Sequence, residues 1–117
     1  MKAAVLGGGS CFAMNLASHL VARGDVVLSI SRSPMRSAPF TYGLESSQVF
    51  RYEQAHLVTE LPRIMHMLDE YRPEAIINFA ALCEVGLSWT HAIDYYETNL
   101  MSIVRLTDEL SKRSWFK

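Results

Sequence analysis

The chain has 117 residues, half of them hydrophobic and a fifth charged, with a formal net charge of −1. That length suits one modest domain with one core, and the near-neutral charge with no basic face argues against nucleic acid and anionic membrane as partners. No apolar run is long enough to span a bilayer, and the two cysteines, Cys11 and Cys83, form neither a disulfide framework nor a zinc pattern, which fits a reducing cytoplasm.

The run from Lys2 to Leu6 is apolar without interruption after the lysine and predicts a short buried strand of a parallel sheet. Gly7, Gly8 and Gly9 follow it. Beyond them Ala13, Leu16, Ala17, Leu20 and Val21 share one helical face, which Gly24 ends as a C-terminal cap would. Val26 to Ser31 is a second strand. Strand, glycine turn, helix and strand make a right-handed βαβ unit. Arg32 to Ser47 is polar and broken by Pro34, Pro39 and Gly43, so it reads as a loop. Gln48 to Glu53 is expected to be a third strand. Leu57, Leu61, Ile64, Met65 and Leu68 then share a helical face, with Pro62 tolerated near the helix start and Arg72-Pro73 closing it. Ala75 to Ala81 predicts a fourth strand. A loop around Gly86 precedes a long helix from about His91 to Ser111, whose expected buried face is Tyr96, Leu100, Ile103, Thr107 and Leu110.

Strands alternating with helices imply an α/β fold, a Rossmann-like parallel sheet with helices on both faces. In such sheets a ligand binds outside the carboxyl ends of the strands, where the 7–13 turn, the Ser31-Arg32 edge and residues 80–85 converge. Glycines let the backbone approach a pyrophosphate, whose charge then lies against free amides at a helix N-terminus. Surface turns also collect glycine, but the strand before this turn and the helix after it point to a dinucleotide. His19, His56, His66 and His91 lack metal-ligand spacing, so no metal site is expected.

These residues resemble the N-terminal half of the extended short-chain dehydrogenase/reductases, the NAD-dependent epimerase/dehydratase group, which act largely on nucleotide sugars. The family's three spaced turn glycines correspond to Gly7, Ser10 and Ala13. Asn78-Phe79-Ala80-Ala81-Leu82 is similar to the family's fourth-strand motif beside the cofactor. Val85-Gly86-Leu87-Ser88-Trp89 and then Asp94-Tyr95-Tyr96-Glu97-Thr98-Asn99-Leu100 look like the segment that follows it. The resemblance implies cofactor contacts at Gly7, Gly9, Ser10, Cys11, Phe12, Ala13, Ser31, Arg32, Phe79, Ala80, Ala81, Leu82 and Asn99, with Asn99 ordering the site through hydrogen bonds. It also implies a homodimer through the helix from His91. The aspartate that the family places after the third strand to hold adenine has no counterpart: Leu57 and Val58 stand there, with His56 and Glu60 as the nearby polar groups.

Family chemistry needs a Tyr-x-x-x-Lys pair, and none of Tyr42, Tyr52, Tyr71, Tyr95 or Tyr96 has lysine four residues on. No catalytic residue is therefore expected in residues 1–117. The chain reads as the N-terminal part of a dinucleotide-binding domain, truncated after about the fourth strand and its helix, whose parent acts on a nucleotide sugar. The alternative is a non-catalytic dinucleotide-sensing or association module. An acidic residue at the end of the second strand would hold the ribose hydroxyls of NAD. Ser31 and Arg32 stand there instead, with Ser33 and Arg36 nearby, so NADP is expected over NAD.

Overall fold

A computed structural model describes all of residues 1–117. Four parallel strands, β1 (Lys2–Leu6), β2 (Val26–Ser31), β3 (Phe50–Gln54) and β4 (Ala75–Asn78), lie in the order β3-β2-β1-β4. Alternation along β1 sends its side chains to two cores. Ala3 and Val5, with Val27 of β2, pack under Ala13, Met14, Ala17 and Leu20 of α1 (Cys11–Ala22). Ala4 and Leu6, with Leu28 and Ile30, pack against Ile64 and Leu68 of α2 (Leu61–Tyr71) and against Leu106 and Leu110 of α5 (Ser102–Ser111). Helices thus cover both faces, as the alternating pattern predicts. No helix is long and apolar enough to cross a membrane.

Several boundaries differ from expectation for identifiable reasons. β4 stops at Asn78 and does not reach Ala81, because the Asn78 carboxamide accepts the Ala80 amide at 3.0 Å and turns the chain out of the ladder. β3 starts two residues later than expected and ends one later, at Gln54. Leu57 is buried, but in the turn before α2. The segment around Gly86 contains a short helix, α3 (Val85–Ser88). Arg72 closes α2 in the left-handed region, with φ of 48°, directly before Pro73.

The long helix is the main correction. It consists of α4 (Ala92–Tyr96), a π-turn (Glu97–Met101) and α5. Its buried residues are Ser102, Leu106 and Leu110, while Tyr96 and Leu100 are exposed. The extra residue in the π-turn shifts the phase of the helix N-terminal to it. Ser102 can be buried because its hydroxyl bonds the Thr98 carbonyl one turn back. The charged end of α5 is tied to α2. Arg113 spans Glu109 and Asp69, and Trp115 donates to Asp69 at 2.9 Å.

Candidate functional site

The carboxyl ends of the strands open into a cleft of about 260 Å³. Its centre is the turn from Gly7 to Ser10. Gly7 has φ of +70°, and a Cβ there would lie 2.5 Å from the Phe79 carbonyl carbon and 2.7 Å from Ala80 Cα, with Ala80 N closer still. Gly8 rests on Ser29 of β2, whose side chain a Cβ would strike, and its amide donates to the Ile30 carbonyl at 3.1 Å. These two glycines let the turn lie flat between the ends of β2 and β4.

Ser10 stands where the family pattern has its second glycine. It adopts an extended conformation that any residue can take, and its hydroxyl caps α1 by accepting the Ala13 amide at 3.2 Å. Serine therefore serves as an N-cap, and no glycine is needed there. The amides of Cys11 and Phe12 find no acceptor within the chain, and the first turn of α1 carries no acidic side chain. The positive end of α1 is left open to an anion at the cleft.

One wall is the end of β2 and the loop after it. Ser31 is buried, whereas Arg32 is exposed. The backbone here is held by β3: Tyr52 donates to the Ser33 carbonyl at 2.8 Å, and Gln54 donates to that of Arg32 at 3.0 Å. Arg36 reaches back to the turn, its Nε 2.9 Å from the Gly9 carbonyl. Neither Arg32 nor Arg36 has a carboxylate partner, and no Asp or Glu lines the cleft. The opposite wall is Phe79 to Leu82, with Thr98 from the π-turn. Asn99 accepts the Leu82 amide at 2.7 Å and donates to the Leu82 carbonyl at 2.8 Å, so both ends of its carboxamide fix this wall.

The predicted residues Gly7, Gly9, Ser10, Ser31, Arg32, Phe79, Ala80, Ala81 and Leu82 all line the cleft. Four do not. Ala13 is buried on the inner face of α1, against the sheet, and the side chains of Cys11 and Phe12 are exposed. Asn99 stands behind Leu82. Both cysteines are free and exposed. Thr98 and Ser29 escaped the sequence reading. Only a π-turn brings the residue before Asn99 to the cleft, and a serine inside a strand carries no signal that a glycine lies on it.

A far end of the cleft is formed by Ala55, His56, Leu57 and Val58 after β3. His56 Nδ1 accepts the Val58 amide at 3.2 Å. Glu60 accepts the His56 amide at 3.0 Å and Arg63 at 3.1 Å, and these two bonds, the His56 amide first, hold its carboxyl below the usual glutamate range. The arrangement offers an anion site, a cationic edge and an apolar end pocket in one line.

The profile of the GDP-mannose 4,6 dehydratase family matches residues 9–115. No curated protein matches the chain. Among solved structures, UDP-glucose 4-epimerase from Stenotrophomonas maltophila, with bound NAD and formylated UDP-arabinopyranose, is 22% identical with a TM-score of 0.79, over 95% of this chain and 33% of that one. The Bifidobacterium longum UDP-glucose 4-epimerase, in complex with NAD+ and UDP, is 24% identical with a TM-score of 0.79, over 96% and 34%. The UDP-Glc/GlcNAc 4-epimerase of Campylobacter jejuni is 17% identical with a TM-score of 0.82, over 95% and 33%. At such identities the likeness is one of fold, and the chain spans about a third of the length of these structures.

Proposed function

Because the chain belongs to the GDP-mannose 4,6 dehydratase family, we propose that it supplies the dinucleotide-binding part of an enzyme acting on nucleotide sugars, an epimerase, dehydratase or reductase. The observation that carries this reading is the Gly7–Ser10 turn, pressed against the Phe79-Ala80 backbone and feeding the open N-terminus of α1. The residues present fit a dinucleotide. The Cys11 and Phe12 amides would take the diphosphate, and Ser31 and Arg32 the adenosine ribose. Phe79 to Leu82 would flank the nicotinamide half, whose ring accepts and returns hydride when bound. Asn99 acts through Leu82 and positions that wall.

The cofactor is proposed to be NADP in preference to NAD. Arg32 and Arg36 line the cleft without carboxylate partners, and no acid is present to repel a 2′-phosphate. NAD is the dinucleotide bound in the Stenotrophomonas maltophila and Bifidobacterium longum structures. Paired titrations of the two dinucleotides decide between them. NADP should bind more tightly, and Arg32→Ala should weaken NADP by about 1.5–3 kcal/mol with little effect on NAD. A wild type that prefers NAD, or a mutation that weakens both equally, refutes the assignment.

The chain by itself is proposed to be non-catalytic, since no Tyr-x-x-x-Lys occurs in its 117 residues. Turnover of a nucleotide sugar by the pure chain, abolished by Gly7→Val, would disprove this. Association is also proposed. β4 pairs with β1 on one edge only, and Ile93, Tyr96, Leu100 and Val104 leave an apolar stripe exposed along the last helix. Light scattering should find a dimer or larger species, and a monomer at high concentration would count against it.

A further inference from the structure

We propose that the two arginines of the cleft have separate duties: Arg36 binds the diphosphate common to all dinucleotides, and Arg32 alone reads the 2′-phosphate of NADP. This inference rests on the dinucleotide reading. Arg32 follows the last residue of β2, with its carbonyl held by Gln54 of β3, so it stands at the strand end where the adenosine ribose lies in that reading. Arg36 comes later in the same loop, and its Nε donates to the Gly9 carbonyl at 2.9 Å.

That bond fixes where the Arg36 charge sits. A guanidinium is one rigid plane, so with Nε on Gly9 its terminal nitrogens also lie at the turn, beside the Ser10 cap of α1. These nitrogens have no hydrogen-bond or carboxylate partner within the chain, and Arg36 lines the cleft. Ser31 marks the same place independently. It is 8% exposed, its hydroxyl makes no hydrogen bond within the chain, and that oxygen lies 3.0 Å from where a Cβ on Gly9 would stand. A buried hydroxyl left open beside the turn calls for a polar ligand there.

The turn also needs the charge. Each phosphate of a dinucleotide is negative, and the donors at the N-terminus of α1 are few. The Ser10 hydroxyl already occupies the Ala13 amide, which leaves those of Cys11 and Phe12. No lysine lines the cleft, and of its two arginines only Arg36 is bonded to the turn. A guanidinium can hold the Gly9 carbonyl through Nε and phosphate oxygens through its terminal nitrogens at once. The ligand therefore gains a contact without the loop losing its own.

The test is calorimetric titration of NAD and NADP against wild type, Arg32→Ala and Arg36→Ala, with Arg36→Gln and Arg36→Lys to separate the charge from the bond to Gly9. Arg36 is exposed, so its variants should fold as wild type does. Arg36→Ala should weaken NAD and NADP by the same factor, about tenfold or more, while Arg32→Ala weakens NADP alone. Glutamine keeps an N–H donor for the Gly9 carbonyl but no charge, so Arg36→Gln should bind both dinucleotides as poorly as Arg36→Ala. Lysine keeps the charge, and Arg36→Lys should bind both at least about threefold more tightly than Arg36→Gln. A loss of NADP affinity alone in Arg36→Ala would place Arg36 at the 2′-phosphate and overturn the proposal. Full affinity in Arg36→Ala or in Arg36→Gln would also overturn it, since the Arg36 charge would then serve no ligand. If wild type binds neither dinucleotide, the dinucleotide reading itself fails and this inference falls with it.

Discussion

Replacing Gly7 with alanine tests whether the turn is built around a close approach or only around an unusual backbone angle. Its φ of +70° disfavours a side chain by roughly 1–2 kcal/mol. The added Cβ would also collide with the Phe79 and Ala80 backbone, which cannot rotate away as a side chain could. Forcing an extra methyl into such a contact costs about 1–3 kcal/mol more. The total of roughly 2–5 kcal/mol is a large share of the stability of a small domain. Two other glycines separate the two causes. Gly24 has φ of +94° with open space around its Cβ position, so Gly24→Ala should lose only the conformational part, about 1–2 kcal/mol. Gly86 has neither a positive φ nor a neighbour and lies in α3, so Gly86→Ala should be neutral or slightly stabilising. Thermal and denaturant unfolding of the three variants gives the order directly, at about 4 °C per kcal/mol for a chain of this size. If Gly7→Ala is no worse than Gly24→Ala, the approach of the turn to β4 is not the constraint, and the cleft geometry argued from it is wrong.

Asn99→Ala should cost about 1–3 kcal/mol by stranding the Leu82 amide and carbonyl, and amide exchange at Leu82 should speed up while β1 and β2 stay protected. Exchange unchanged at Leu82 would mean that the carboxamide does not hold this wall. Asp69 has a pKa lowered mainly by the Arg113 hydrogen bonds and then by Trp115, so its contribution to stability is present above the ordinary aspartate value of about 3.9 and is lost as pH falls through the depressed folded value. Wild type should therefore exceed Asp69→Asn in thermal midpoint at neutral pH, and the gap should close in acid. A gap that persists at the lowest pH would assign the effect to packing.

β1, β2 and the helix between them were legible because every cue agreed. β1 reads as an apolar run after its lysine, β2 as an apolar run broken only by two small serines, and the glycines and Gly24 bracket one helix with a buried face. The far side of the sheet was harder for two physical reasons. A π-turn changes the helical phase without leaving a composition signature, so a face drawn through Tyr96, Leu100, Ile103, Thr107 and Leu110 caught Leu110 but missed the buried Ser102 and Leu106. Asn78 ends β4 by a side-chain bond that looks, in sequence, like one polar letter in an apolar run. In the cleft, the glycines, Ser31, Arg32 and residues 79–82 were readable as a pattern. The Arg36 bond to Gly9 joins two separate loops, and the His56 bond to Val58 lies within the turn before α2, so both depend on how those loops fold.

Ser29 explains how β2 can carry both a core and a turn, and it yields the sharpest size test. The strand alternates so that Val27 and Ser29 face α1 while Leu28 and Ile30 face α2. At position 29 an apolar residue would suit the core better, for the serine is fully buried and its hydroxyl has no partner. What forbids a larger side chain is Gly8, which rests directly on the Ser29 side chain. If size alone is the reason, Ser29→Ala removes an unpaired hydroxyl and should leave stability unchanged or raise it by about 1 kcal/mol. Ser29→Val adds bulk under the turn and should cost about 1–3 kcal/mol, with dinucleotide affinity falling as Gly8 is lifted away from the Ile30 carbonyl. Unfolding midpoints and a dinucleotide titration of the two variants give the answer. A Ser29→Ala variant less stable than wild type would mean that the hydroxyl has a bonding role, and the turn would then be anchored by chemistry as well as by fit.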